Sequence, residues 1–338
     1  MVKVVVALFL LVLFLLSYIA YTGKGTLVFE KKPEAVPSPT VEEKTEAAKN
    51  TFWHAPDIAS LEGNPAKEKI LLGKDLIANT SKYFGPKGTV KANATNGMNC
   101  QNCHLDAGTR VFGNNYGNVF ATYPKYRARS GTVENIYKRV TDCFERSLNG
   151  MAPDSGSKEM EAIVAYINWL GKDVKKGEKA AGSGLKDLAY LDRAADPEKG
   201  KAGYEKHCVS CHTTSGQGMW NGDSSSFSFP PLWGLNSFNQ GAGLYRLSNM
   251  AKYIKYNMPQ GVTHDSPKLT DEEAWDIAAY VNSQDRPTKD ISKDWPKIHE
   301  KPIDHPFGPF HDGFLEAQHK YGPFKPIAKK RKELEAKK

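Results

Sequence analysis

Two stretches of the chain repeat one spacing of apolar positions. Met160, Ile163, Val164, Ile167 and Leu170 recur at helical intervals, and so do Ala274, Ile277, Ala278 and Val281. Each stretch predicts an amphipathic helix with one buried face. Ser157 stands at the N-cap position of the first, and Thr270 with Glu273 predicts a capping box at the start of the second. When the two are aligned, Ile163 falls on Ile277, Ala165 on Ala279, Tyr166 on Tyr280 and Asn168 on Asn282, at a constant offset of 114 residues. Upstream, Gly73 in GKDLI aligns with Gly200 in GKAGY, each on an expected short helix. The first copy carries an insertion at roughly residues 78–96. The pattern is that of an internal duplication.

Other parts of the chain follow different patterns. After Lys3, an uncharged apolar run from Val4 to Thr22 would extend about 28 Å as a helix, nearly enough to span a bilayer. No small-x-small cleavage site follows it, so it reads either as an uncleaved anchor in the inner membrane or as a signal peptide. Residues 31–50 hold three prolines and many charges, and predict a flexible spacer. A second composition shift at residues 172–184, KDVKKGEKAAGSG, starts the expected interdomain linker. Beyond Gln284 the chain becomes proline-rich and then strongly basic, and its terminal KKRKELEAKK predicts a solvated tail.

Each copy contains one CxxCH motif: Cys100, Cys103 and His104 in CQNCH, and Cys208, Cys211 and His212 in CVSCH. Two cysteines three apart can add across the two vinyl groups of a haem, and the following histidine reaches the iron from one face. The histidine and the duplication argue against a redox dithiol or half of a zinc site. Two covalently bound c-type haems are therefore expected, and haem of this kind is attached outside the cytoplasm, which agrees with an export signal. Helix, CxxCH, loop and closing helix resembles the class I cytochromes c. In such folds a proline carbonyl orients the haem histidine, and the candidates are Pro124 for His104 and Pro230 or Pro231 for His212.

The expected fold is thus all-α: two class I cytochrome c-like domains in tandem, an N-terminal apolar helix and an extended C-terminal tail. The expected divisions are 1–30 for the signal anchor or signal peptide, 31–50 for the linker, 51–180 and 181–286 for the two haem domains, and 287–338 for the basic tail.

The fifth cysteine, Cys143, has no partner for a disulfide once four thiols are consumed as thioethers. A six-coordinate haem needs a second axial ligand from the loop before the closing helix. Met258 fills that place in the second copy, and the 114-residue offset carries Met258 to position 144, beside Cys143. Met151 competes with Cys143 as the ligand, and a simple buried cysteine is the remaining alternative. Around Cys143 lie Arg110, Lys125, Arg127, Arg129, Lys138, Arg139, Arg146 and Ser147. Guanidinium groups among them could offer paired donors to a small oxoanion. They could equally form a solvated basic face, because the whole chain carries a formal charge of +8 with basic residues spread throughout. No nucleic-acid partner is expected.

The segments CHLDAG, YPKYRARSGTVENIYKRVTDCFERSLNG, PPLWGLNSFNQGAG, NMPQG and HDGFLEAQHKYGPFKPI resemble the dihaem thiosulfate dehydrogenases over most of residues 50–328. The resemblance implies an enzyme that interconverts two thiosulfates with tetrathionate and two electrons. It implies that His104 and Cys143 ligate an active-site haem, His212 and Met258 an electron-transfer haem, and that Arg129, Arg139 and Ser147 line the substrate site. A periplasmic location and an external redox partner, such as another cytochrome c or a quinone-linked complex, go with it. Some members carry a lysine just before the methionine, and here that position is Asn257, with Lys252 and Lys255 nearby. The alternatives are a noncatalytic dihaem electron carrier and another sulfur-oxidising cytochrome with a His/Cys-ligated haem.

Overall fold

A pair of glycines governs how the main helices cross. The computed structural model describes residues 17–18 and 52–337. In its first half α1 (Lys67–Ala78) packs on a closing helix, with α2 (Ile136–Arg146) and then α3 (Lys158–Leu170) following in sequence. A Cβ on Gly73 of α1 would lie 2.0 Å from the carbonyl oxygen of Ala162 in α3 and 2.8 Å from the Cβ of Tyr166. In the second half α4 (Pro197–His207), α5 (Leu247–Asn257) and α6 (Asp271–Ser283) repeat the plan. A Cβ on Gly200 would lie 1.8 Å from Asp276 O and 2.9 Å from the Cβ of Tyr280. The partners in the two halves are related by the 114-residue offset, so the duplication holds at the level of backbone contact.

The predicted caps form as expected. Ser157 Oγ accepts from Met160 N at 3.2 Å, and Thr270 and Glu273 exchange bonds of 3.1 and 2.8 Å. Met160, Ile163, Ile167 and Leu170 are buried on α3, as are Ala274, Ile277, Ala278 and Val281 on α6. A fully buried leucine or isoleucine side chain contributes about 1.5–3 kcal/mol, so this shared stripe drives the packing of both halves.

Three expectations change. The fold is helical but not purely so: β1 (Lys125–Arg127) and β2 (Thr132–Glu134) form an antiparallel hairpin, and β3 (Met219–Trp220) pairs with β4 (Phe227–Phe229). Residues 172–184 form an ordered strap on the first half rather than a loose linker. Ala181, Gly182 and Gly184 accept through their carbonyls from the backbone N–H groups of Trp53, Phe112 and Asn114, at 2.8, 2.8 and 2.9 Å. The chain beyond 287 is packed as well. Within it Asp294 pairs with Arg146, Asp304 with Arg246 and Ser248, and Asp312 with His319 and Arg331. The basic end forms α7 (Phe324–Glu335), whose inner face buries Phe324, Ile327 and Arg331. Spacings of three and four residues put these on one stripe, which the dense lysines around them obscure in the sequence.

The apolar run at 4–22, apart from the helical Ser17 and Tyr18, and the spacer at 31–50 lie outside the described residues. Among the described residues no helix is long and apolar enough to cross a membrane.

Candidate functional site

Helix α2 carries Arg139 and Cys143 one turn apart, and Ser147 follows at its C-cap. The steps of four put the three side chains on one face. All three line a cavity of about 290 Å³ whose opposite wall holds Cys103, His104 and Asn114. Cys143 therefore sits in the last turn of a helix, not in the loop before the closing helix as the internal alignment suggested. Met151 is excluded from this place: it is 54% exposed and lines a separate surface cleft with Asn93 and Leu235.

The histidines differ in their support. His212 Nδ1 donates to Pro230 O at 2.8 Å, as expected from sequence. His104 Nδ1 donates instead to Asn114 O at 2.6 Å, and its ring stacks on Tyr116 at 4.5 Å. Pro124 is thus not the acceptor. Asn114 adopts a left-handed conformation (φ 59°), a geometry asparagine tolerates and a proline count cannot reveal. Either bond leaves Nε2 as the ring's free lone pair. Burial lowers the pKa of His104 to about 4 and lowers that of His212, keeping both rings neutral as an iron ligand requires.

The second cavity, also about 290 Å³, is lined by Cys208, Cys211, His212 and Met258 with a largely apolar wall that includes Leu232, Ile254 and Val281. Burial pushes the thiols of Cys100, Cys103 and Cys208 up to about 12, so none is a reactive thiolate. Paired cysteines, a neutral histidine with a free Nε2 and a roomy cradle fit covalent haem at both motifs. Cys103, Phe238 and Leu244 line both cavities, which places the two cradles side by side.

Of the basic residues near Cys143 in sequence, the structure brings only Arg139 into its cavity. The negative charge of Cys143 holds the Arg139 guanidinium above its usual range, against burial. Arg146 forms a buried two-point pair with Asp294, at 2.7 and 2.9 Å. Arg110 binds Asp106 and lines the second cavity, Arg127 faces Glu134, Lys138 pairs with Asp142, and Lys125 lies over the Tyr123 ring. Arg129 does not line the Cys143 cavity. It lies 5.6 Å from the ring centroid of Trp295, and burial pushes it down to about 10, with Arg146 and Arg139 adding repulsion. Its backbone oxygen accepts from Trp295 N at 2.7 Å, so the C-terminal segment grips the β1–β2 loop that carries it.

That the second half supplies one wall of the Cys143 cavity was not legible in the sequence. Phe238, Ala242, Leu244, Asn249 and Lys252 all reach it. The loop that carries the first three is held on the end of α2, where Asn239 N donates to Arg146 O at 3.0 Å and Asn239 Nδ2 to Glu145 O at 2.8 Å.

Two family models match separate stretches of the chain. Residues 90–175 match the SoxA/TsdA cytochrome c domain and residues 197–285 match cytochrome c. The thiosulfate dehydrogenase of Stutzerimonas stutzeri (strain A1501) is 34% identical over 240 residues, covering 71% of this chain and 75% of that protein. The chain belongs to the thiosulfate dehydrogenase family. The thiosulfate dehydrogenase of Thiomonas intermedia (strain K12) is 38% identical over 219 residues, which is 64% of this chain and 66% of that protein. The solved thiosulfate dehydrogenase TsdBA of Marichromatium purpuratum superposes with a TM-score of 0.67 at 29% identity, covering 83% of this chain and 57% of that one. With a cytochrome c domain around each CxxCH motif, the cofactors are two covalently bound c-type haems.

Proposed function

We propose that the protein interconverts two thiosulfates with tetrathionate plus two electrons, with Cys143 at the centre of the reaction. The observation that carries this reading is the single cavity in which Cys143, Arg139 and Ser147 on α2 face His104. On it, His104 and Cys143 would hold the active-site haem, and His212 and Met258 the electron-transfer haem. Residues 51–180 and 181–286 are the two haem domains. Once bound, the two haems supply one-electron acceptors for the two electrons that coupling releases.

The protein's own task is electrostatic. Two dianions about 5 Å apart repel by roughly 3 kcal/mol even at the dielectric of water. Arg139, kept charged beside the thiolate, offsets that repulsion at the reacting sulfurs, and Ser147 offers a hydroxyl donor. Arg129, desolvated by burial and lying over the Trp295 ring, adds positive potential from behind. The Cys143 thiolate attacks a sulfane sulfur of tetrathionate, forming a Cys–S–S–sulfonate bond and releasing one thiosulfate. Two-electron cleavage of the bond between the Cys143 sulfur and the adduct then releases the second thiosulfate and regenerates the thiolate, and the same two steps in reverse make tetrathionate and give up the two electrons. Electrons leave to an external partner such as another cytochrome c or a quinone-linked complex in the periplasm, with the apolar N-terminus as an inner-membrane anchor if it is retained.

The test is a steady-state assay of purified, haem-loaded protein in both directions, with mass analysis of the Cys143 peptide after incubation with tetrathionate. Turnover with a thiosulfonate-sized mass gain on that peptide supports the reading. Haems that thiosulfate cannot reduce would leave a noncatalytic electron carrier.

A further inference from the structure

A cation with no acid to neutralise it lies behind the wall of the second cavity. Arg286, just past the end of α6, is 8% exposed. Its guanidinium donates to Val281 O at 2.7 Å and to Leu232 O at 3.3 Å, and both of those residues line the second cavity. Its Cζ lies 4.4 Å from the ring centroid of Phe238 and 4.7 Å from that of Tyr245, so aromatic rings cover it as well. Phe238 lines both cavities. Burial pushes the Arg286 pKa down to about 10, opposed only by Tyr245, so the group is charged at neutral pH, and no carboxylate among the described residues pairs with it. Arg110, in the wall itself, is by contrast matched by Asp106 at 2.9 Å.

The first half differs at the corresponding place. The offset of 114 residues carries Arg286 to Lys172, whose side chain is 43% exposed and lies 3.8 Å from the carboxylate of Asp173. The cations that do line the first cavity are matched too: Arg139 by the negative charge of Cys143, and Lys252 by Asp187 at 2.8 Å. A paired or solvated cation projects little field, whereas a buried unpaired one acts through a medium of low dielectric and is hardly screened by salt. We infer that Arg286 is a fixed positive charge that raises the reduction potential of the second haem relative to the first, and so sets the direction in which an electron passes between the two cradles. The physical reason is charge balance. Taking up one electron removes one positive charge from a haem iron, and an unpaired cation behind its cradle favours that change. The inference uses only the two haem attachments, so it stands apart from the chemistry proposed at Cys143.

Spectroelectrochemical titration of the haem-loaded protein tests this without any turnover, the two haems being told apart by their ferric near-infrared bands. Arg286→Gln keeps hydrogen-bond donors and removes the charge. It should shift the one-electron equilibrium between the haems about tenfold toward the first, which corresponds to a fall of about 59 mV at the second haem with a clearly smaller change at the first. The shift should be the same at low and high ionic strength, because the charge is buried. Arg286→Lys keeps the charge and loses the planar fork, so it should hold both potentials near those of the wild type even where it melts at a lower temperature. This second variant decides the matter if Arg286→Gln fails to retain its haems. Equal falls in the two variants would overturn the inference and leave Arg286 as a brace for the cavity wall. An unchanged second potential in Arg286→Gln, an equal shift of both haems, or a shift that disappears in high salt would overturn it as well.

Discussion

The two halves of the molecule share a helix crossing down to its glycine contacts, yet their cavities differ in kind. The second is walled largely by apolar side chains such as Leu232, Ile254, Leu269 and Val281, with Met258 at the end of α5. The first is walled by Arg139, Ser147, Asn249 and Lys252, with Cys143 inside the last turn of α2. An apolar wall excludes anions, whereas a cationic one recruits them. One scaffold thus supplies both a largely apolar cradle suited to holding an electron and a more polar, cationic one suited to charged substrate.

The largest way to break that contrast is to make the first cavity resemble the second. Cys143→Met should still bind two haems, read by mass spectrometry of the denatured protein, yet lose thiosulfate–tetrathionate interconversion by more than about a thousandfold, because a thioether is no thiolate nucleophile. Substantial turnover in this variant would leave Cys143 as an electronic ligand only.

Gly73→Ala and Gly200→Ala probe what the halves share. Each adds a Cβ within 2.0 Å of a backbone oxygen on the facing helix, so each should destabilise the fold by about 3 kcal/mol or more. Thermal melting followed by circular dichroism should show comparable losses. Damage confined to one variant would break the equivalence of the two crossings.

Arg139→Ala and Arg129→Ala should each lower kcat/KM for thiosulfate at least about tenfold while leaving both haem spectra nearly intact. Their positions predict a difference within the pair. Arg139 lines the cavity, so its loss should exceed that of Arg129, which acts through the potential behind it. Equal and unchanged kinetics would return both to a solvated basic face.

The last expected effect, on stability and not on turnover, lies in the C-terminal segment that braces the second half. Burial raises the Asp304 pKa, but Arg246 and the hydrogen bonds of Ser248 outweigh it and hold the carboxyl below its usual value. A depressed folded pKa stabilises above the unfolded carboxylate pKa and is lost as pH falls through the folded one. Asp304→Asn should therefore cost about 1.5–3 kcal/mol at neutral pH and progressively less in acid, read from denaturant midpoints at several pH values. A deficit constant with pH would show that the charge of Asp304 plays no part.

Much of the frame was legible in the chain because it depends on local rules. Helical periodicity marked α3 and α6, short polar side chains marked their caps, and CxxCH marked both haem attachments, since each signal lies within a few consecutive residues. Distance from His212 pointed to Pro230 or Pro231, and the structure uses Pro230. The same reasoning failed at Pro124, because the acceptor for His104 is set by a left-handed turn at Asn114 rather than by residue type.

Sequence alone determined the duplicated helices, the two covalent attachment points and the singular position of Cys143, all properties of short segments and their spacing. Only the tertiary structure decided which charges surround that cysteine. Arg146, three residues away in sequence, turns to Asp294, while Lys252, more than a hundred residues away, reaches the same cavity as Cys143. A helix projects neighbouring residues to different sides, and the packing of one half on the other chooses which distant side chains meet them.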